Sequence, residues 1–226
     1  VEAELAAARQ AAGALLVTFD GPLNETGEYE PDEGTVLLLH LNGGFDEEPR
    51  QTEGPVSFVE GKFGTQALHV GDGGRVQLDL PEDFDKDLGT IELWARPDWL
   101  TRDGKRHTLV ELDGPGAWNQ NRLLIYKNLD YEISFVIWDH NKQALAVQVP
   151  ANIFRQGQWT HGAGTWDASE GLKFYVNGEL AGTAEGQLDI ERLDTIALGN
   201  SHGSERPWVG SLDEMRLSRG QRVPRQ

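Results

Sequence analysis

An all-β sandwich or barrel is the fold class this 226-residue sequence predicts. Three observations lead there. Short apolar runs rich in β-formers recur from residue 35 onward, each bounded by Gly, Pro, Asn or Asp. The Asn177-Gly178 pair sits between two of these runs, a strong hairpin-turn signal. No long helical periodicity and no internal repeat of the propeller kind interrupts the series.

TVLLLHL, residues 35–41, is the first run, and ALHV and RVQLDL follow on either side of GDGG at 71–74. TIELWARP, residues 90–97, alternates Ile91, Leu93 and Ala95 against Glu92, Trp94 and Arg96, the two-residue period of a strand with two different faces. HTLVELDG, RLLIYKN, EISFVIWD, ALAVQV, WTHGAGTWD and LKFYVNGEL come next, and TIALGNS and WVGSLDEMRLS close the series. Upstream, residues 2–16 are rich in Ala, Glu, Leu, Arg and Gln and predict a short helix. That helix reads as a linker from a preceding domain or as an oligomerisation element, although so short a helix is marginal alone. Residues 20–34 are acidic, rich in Gly and Pro, and predict a loop carrying the sequon Asn24-Glu25-Thr26. The resulting organisation is a helix and acidic linker over 1–34, a sandwich over 35–219 and a tail over 220–226.

The length suits one large all-β domain with a substantial core. A net charge of -17 argues against nucleic-acid binding and against anionic membranes, since both present negative charge. It suits a soluble surface or a cation ligand, and salt adaptation is a second reading of it. The absence of cysteine removes disulfides, thiolate metal sites and cysteine nucleophiles together. No secretory signal pattern and no apolar run of membrane-spanning length is visible. The chain begins at Val1 without Met, which suits a mature form or an excised fragment. These points favour a bacterial exported protein.

Five segments in order resemble the laminin-G-like, concanavalin A-like jelly-roll family. They are EGKFGTQALHVGDGGRVQLDLP, GTIELWARPDW, QWTHGAGTWD, LKFYVNGELAG and WVGSLDEMRLSRG, spread over residues 35–219. The resemblance implies two antiparallel sheets packed face to face, outside the cell or on its surface. It names no ligand, because a fold hosts many functions.

In GSLDEMRLS, strict alternation puts Asp213 on the face of Met215 and Leu217, with Leu212, Glu214 and Arg216 opposite. A carboxylate at the edge of a core needs a partner, because an unpaired buried charge is costly. Arginine, backbone amides or a cation would serve. The resemblance favours a structural calcium ion joining the first strand's end to the last strand, held by Asn42, Asp46 and Asp213 with carbonyls of the Gly-Lys-Phe-Gly stretch around Gly64. Calcium takes six to eight such oxygens. Asp20, in TFDGPLNE, competes with Asn42 for the first position.

Among seven Trp, the resemblance assigns Trp94, Trp159 and Trp208 to the scaffold, and Trp166 reads as core. Trp99 follows Pro97 by two residues in a loop and fits either role. Trp118 and Trp138 stand in polar surroundings that suit sugar binding, where an indole stacks on a pyranose and offers one N–H. Their candidate partners are Asn119, Asn121, Arg122, Tyr126, Asp139 and His140. The alternative is that Trp138 packs under a loop and Trp118 seals a sheet edge.

No paired-carboxylate strand of the E-x-D-x-x-E form is present, and no Gly-x-Ser-x-Gly or His-Glu-x-x-His. The nearest acidic run, Pro81–Asp87, is loop-like. A lyase set of Tyr126, His140 and Arg122 has no supporting spacing. The sequence therefore predicts a non-catalytic module that binds a glycan or a surface protein. A structural or protein-interaction module is the second reading, and a polysaccharide-degrading enzyme the third.

Overall fold

A computed structural model describes residues 22–201 and 206–222. The expected helix over 2–16 and the alternative ligand Asp20 lie outside these residues. Among the described residues the regular structure is all strand apart from one 3-10 turn at Ala151–Ile153. In order the strands are β1 (Thr35–Leu39), β2 (Gln51–Glu53), β3 (Val56–Glu60), β4 (Gln66–Val70), β5 (Arg75–Asp79), β6 (Leu88–Pro97), β7 (His107–Asp113) and β8 (Arg122–Lys127). They continue with β9 (Glu132–Trp138), β10 (Ala144–Pro150), β11 (Thr160–Asp167), β12 (Gly171–Val176), β13 (Glu179–Glu185), β14 (Thr195–Leu198) and β15 (Gly210–Arg219).

Two antiparallel sheets form the sandwich. One runs β13-β12-β11-β6-β15-β4-β3 with β1 also paired to β15, and the other runs β10-β9-β8-β7-β14-β5-β2. Alternation explains how they face each other. Ile91, Leu93 and Ala95 of β6 meet Leu123 and Ile125 of β8 and Ile133, Phe135 and Ile137 of β9 in one buried core. Each such side chain taken from water stabilises the fold by about 1.5–3 kcal/mol. Trp166 and Trp208 are fully buried in it, and Trp99 nearly so. At Gly164, a Cβ would lie 2.8 Å from the Phe135 ring, so the two sheets approach over a position only glycine fits. The β12–β13 connection is the expected hairpin. Asn177 and Gly178 both take positive φ, 49° and 83°, as the tight two-residue turn requires.

The last strand departs from strict alternation. Leu212, Met215 and Leu217 all enter the core, which a two-residue period forbids. A β-bulge between Asp213 and Arg216 resolves this, with Glu214 in the left-handed region at φ 49°. Asp213 therefore pairs with Trp94 and lies on the outer face, not on the face of Met215. The bulge falls where β15 changes neighbours, from β4 beside Gly210–Leu212 to β1 beside Met215–Ser218.

Residues 22–34 pack against this sheet. Tyr29 is buried, and Asp32 pairs with Arg222, whose Nη1 lies 2.8 Å from Asp32 Oδ2. Both flanks of the strand region thus belong to one folded unit. No helix among the described residues is long and apolar enough to cross a membrane.

Candidate functional site

Arg122 faces Trp138 across the β8–β9 pair, which brings the β7–β8 loop against the β9–β10 turn. Short polar side chains then fasten three loops together. Asn121, at φ 47°, donates from Nδ2 to the Pro115 carbonyl (2.8 Å) and accepts from the Glu191 N–H (2.9 Å). Asp139 Oδ1 accepts from the Asn141 and Gln143 N–H groups at 2.8 and 2.9 Å, closing the turn in the way Asp commonly does. Gln120 Nε2 donates to the His140 carbonyl at 2.6 Å, and His140 Nδ1 donates to the Asp189 carbonyl at 2.6 Å. That last bond raises the His140 pKa above its ordinary value.

Trp118 stands on this platform with 69% of its surface exposed. Its ring meets Trp138 edge-on, with centroids 6.4 Å apart and planes at 65°. Trp138 and Asn119 are half-buried. Arg122 forms a buried pair with Glu111 and donates from Nη1 to the Trp118 carbonyl at 2.8 Å, so it positions the loop. Asn121, Arg122 and Asp139 are all buried and committed to the protein itself. Tyr126 lies four residues along β8, roughly 13 Å from Arg122 at ordinary strand rise, and the Tyr126, His140 and Arg122 groups do not converge. The surface left open is therefore Trp118, Trp138, Asn119 and the outer edge of His140.

A second polar centre fills the gap between the end of β1 and the start of β4, opposite the β15 bulge. Asp213 Oδ2 accepts from the Lys62 N–H at 2.7 Å, and Oδ1 has no partner among the described residues. Burial pushes the Asp213 carboxyl up to about 6. Glu28 lies in the same gap. Burial works to raise its pKa, but hydrogen bonds from Asn24 and Asn42 outweigh this and hold it near about 2. Asn42 Oδ1 accepts from the Gln66 N–H at 3.3 Å. Asp46 instead accepts from the His40 and Leu41 N–H groups at 2.7 and 3.3 Å, ending β1. Sequence reasoning missed Glu28, since an acidic Gly- and Pro-containing stretch reads as loop; its only signal was a carboxylate four residues after an Asn.

No group of three or more His, Asp or Glu side chains among the described residues has a metal-holding arrangement. An oxygen-seeking cation nevertheless has a matching feature: one orphaned buried carboxylate oxygen, Asp213 Oδ1, near the ionised Glu28 and the backbone of the 61–65 loop. That donor set suits calcium chemistry, which accepts amide and carbonyl oxygens beside carboxylates.

Next to this centre the bulge aims Glu214 at His40 and at the segment before β1. Its carboxyl takes the Tyr29 N–H (2.6 Å) and His40 Nδ1 (2.7 Å), and burial raises its pKa to about 7. Glu92 binds Arg216 Nε and Nη2 at 2.8 and 2.7 Å and lies 3.2 Å from His161 Nε2, while Tyr29 Oη reaches that His161 nitrogen at 2.8 Å. These groups are buried and bonded to one another, although Arg216 Nη1 finds no acceptor among the described residues. The acidic run Pro81–Asp87 lines an open cleft of about 550 Å³ with Arg192–Asp194. There Asp83 pairs with Arg219, Asp87 with Lys86, and Asp194 with Arg192.

Among solved structures, the receptor-binding domain of botulinum neurotoxin mosaic serotype C/D superposes with TM-score 0.66 at 16% identity, covering 83% of this chain and 48% of that one. The binding domain of Paraclostridial Mosquitocidal Protein 1 gives 0.66 at 14%, covering 83% and 49%. Domain 4 of AbnA, a GH43 extracellular arabinanase from Geobacillus stearothermophilus solved with arabinotriose, gives 0.50 at 20%, covering 81% and 82%. The chain thus spans about half the length of the toxin domains it matches, and these likenesses concern the fold. No curated protein matches the sequence. A family model of the laminin G type, described as concanavalin A-like lectin/glucanases superfamily, matches residues 70–226. With two antiparallel sheets in the jelly-roll manner and that match over most of its length, the chain belongs to the concanavalin A-like lectin/glucanase superfamily.

Proposed function

We propose that this chain is a non-catalytic carbohydrate-binding module, exported to the bacterial cell surface or beyond, that seats a glycan on Trp118 and Trp138. The observation carrying this reading is the Trp118 indole, 69% exposed on loops otherwise locked by hydrogen bonds. A large apolar side chain held open to water on a rigid platform is a preorganised contact, which lowers the ordering cost of binding. The indole face stacks on a sugar ring, while Asn119 and the free edge of His140 are placed to take hydroxyls. The arabinotriose bound to the AbnA domain adds a precedent for sugar binding on this fold. In the same reading, calcium is structural, held by Asp213, Glu28 and loop carbonyls, with Asn42 orienting Glu28. Its chemistry there is charge neutralisation, and the protein's part is to bring the 61–65 loop, residue 28 and β15 together.

The test is a glycan array in calcium buffer with the wild-type chain, Trp118→Ala and Trp138→Ala. Binding that disappears in both variants, with melting temperature unchanged in Trp118→Ala, supports the reading. Binding unaffected by either removes this site. Silence of the wild type favours a protein-recognition module, the second reading.

A further inference from the structure

β10 ends at Pro150, which pairs with Glu132 at the start of β9, six residues from Trp138. That is roughly 20 Å along the strand, so the segment after β10 belongs to the opposite end of the sandwich from Trp118. At that end lies a cleft of about 600 Å³, bounded by residues 152–160 and by the β12–β13 hairpin. Its size falls within the roughly 300–1,000 Å³ typical of ligand sites.

Trp159 forms one wall. β11 starts at the next residue, with β6 on one side and β12 on the other. Arg96 of β6 lies over the Trp159 ring, 5.0 Å from its centroid. The cleft opens on the β12 side, where Asn177, Glu179 and Leu180 complete it. One face of the indole is therefore covered by a guanidinium, and the half-buried ring contributes to the cleft from the other side. Leu180, 55% exposed, supplies a second apolar surface.

We infer that this cleft is a second saccharide-binding site, taking a short neutral oligosaccharide against Trp159. Three features carry it. An aromatic wall and a separate apolar surface fit the two faces of a sugar chain. Arg155 and Glu179 bring one donor and one acceptor group of opposite charge to the same cleft, and Asn152 brings an amide. Among the described residues the Arg155, Glu179 and Asn152 side chains are exposed, whereas Asn177 is spent on the His161 N–H at 3.0 Å. Charge decides the ligand class: Arg155 and Glu179 cancel, and the chain carries -17, so an anionic sugar is repelled and a neutral one is not. Sites at both ends let one module bridge two glycan chains, with the avidity that linked binding brings.

The test follows the indole N–H signals in proton–nitrogen correlation spectra of the full chain during titration with maltotriose, cellotriose and arabinotriose. The Trp159 signal is expected to shift saturably with at least one trisaccharide. Arg155→Ala and Glu179→Gln, both at exposed positions, are expected to weaken that titration about tenfold, the loss of one hydrogen bond to a charged group, and to leave the Trp118 signal's titration unchanged. Trp118→Ala should leave the Trp159 titration intact. A Trp159 signal that stays fixed while Trp118 moves overturns the second site and spares the first. Movement of Trp159 alone does the reverse. Silence of both, or unsaturable drift of every indole, overturns the cleft assignment.

Discussion

The backbone N–H of Tyr29 donates a 2.6 Å hydrogen bond to the carboxyl of Glu214, 185 residues later in the chain. This contact fastens the segment before β1 onto the bulge of the last strand. Glu214 reaches it only because its φ of 49° breaks the alternation of β15, a backbone strain of about 1–3 kcal/mol that the surrounding contacts must offset. Glu214→Ala leaves the Tyr29 N–H and His40 Nδ1 without that acceptor. We expect a loss of about 2–4 kcal/mol in urea unfolding, most of it from the stranded buried donors. Tyr29→Phe, which removes only the hydroxyl that meets His161 and Glu92, should cost about 1–2 kcal/mol. A Glu214→Ala change within experimental error of wild type would show that residues 22–34 are not part of the folded unit.

Acid stability follows from the carboxylates whose pKa is depressed. Burial alone would raise the Glu92 pKa, but His161 and Arg216 overcome it and hold it near about 2. Arg222 lowers Asp32 to about 2. A folded pKa below the unfolded value means the unfolded chain binds the proton first, so the contribution of Glu92 and Asp32 to stability is full above about pH 4.5 and falls as pH drops toward 2. Glu92 alone is worth about 3 kcal/mol across that window. Glu92→Gln should flatten the decline in melting temperature between pH 4.5 and 2 while lowering stability at pH 7, because Arg216 then lies buried without its counter-charge. An unchanged acid limb in that variant would place the titration elsewhere.

How far the sequence shows this arrangement differs by residue. β6 alternates apolar and polar residues from Ile91 to Arg96, so Glu92 and Trp94 are legible from the sequence as lying opposite the core face. β15 does not, and a bulge is set by the change of neighbour from β4 to β1, which is a tertiary fact. Asp213 is therefore recognisable as a carboxylate needing a partner but is placed on the wrong face by alternation. The exposed Trp118 is legible from its polar, Gly-rich surroundings. Its neighbours Asn121 and Asp139 are not, because Asn and Asp in a loop serve equally as ligands and as turn-closing acceptors, and only the hydrogen bonds decide.

Calcium binding at the Asp213 gap makes a separable prediction. If the ion is held there, chelation with EDTA lowers the melting temperature of the wild type, since a ligand of the native state alone stabilises by mass action. Asp213→Ala and Glu28→Gln should each abolish the EDTA effect. Asp46→Ala should lower the melting temperature by the loss of its caps on His40 and Leu41 but keep full EDTA sensitivity. No EDTA effect in the wild type, with no calcium in elemental analysis, removes the ion from the description.

Asp139 separates a positioning residue from a contact residue at the Trp118 platform. Its Oδ1 holds the N–H groups of both Asn141 and Gln143 in the turn, and its Oδ2 lies 3.3 Å from the N–H of Asp189 in the neighbouring loop. Asp139→Ala removes those acceptors from a buried position, and each stranded amide costs about 1–3 kcal/mol unless water reaches it. Because a loosened platform no longer presents Trp118 and Trp138 together, glycan affinity should fall along with stability. Asp139→Asn keeps one oxygen for the turn amides and should recover most of both. A residue that touched the glycan directly would behave otherwise, losing affinity at unchanged stability. Parallel melting and binding measurements on the two variants distinguish these outcomes: affinity lost at wild-type melting temperature in Asp139→Ala would move Asp139 from the supporting turn into the ligand contact itself.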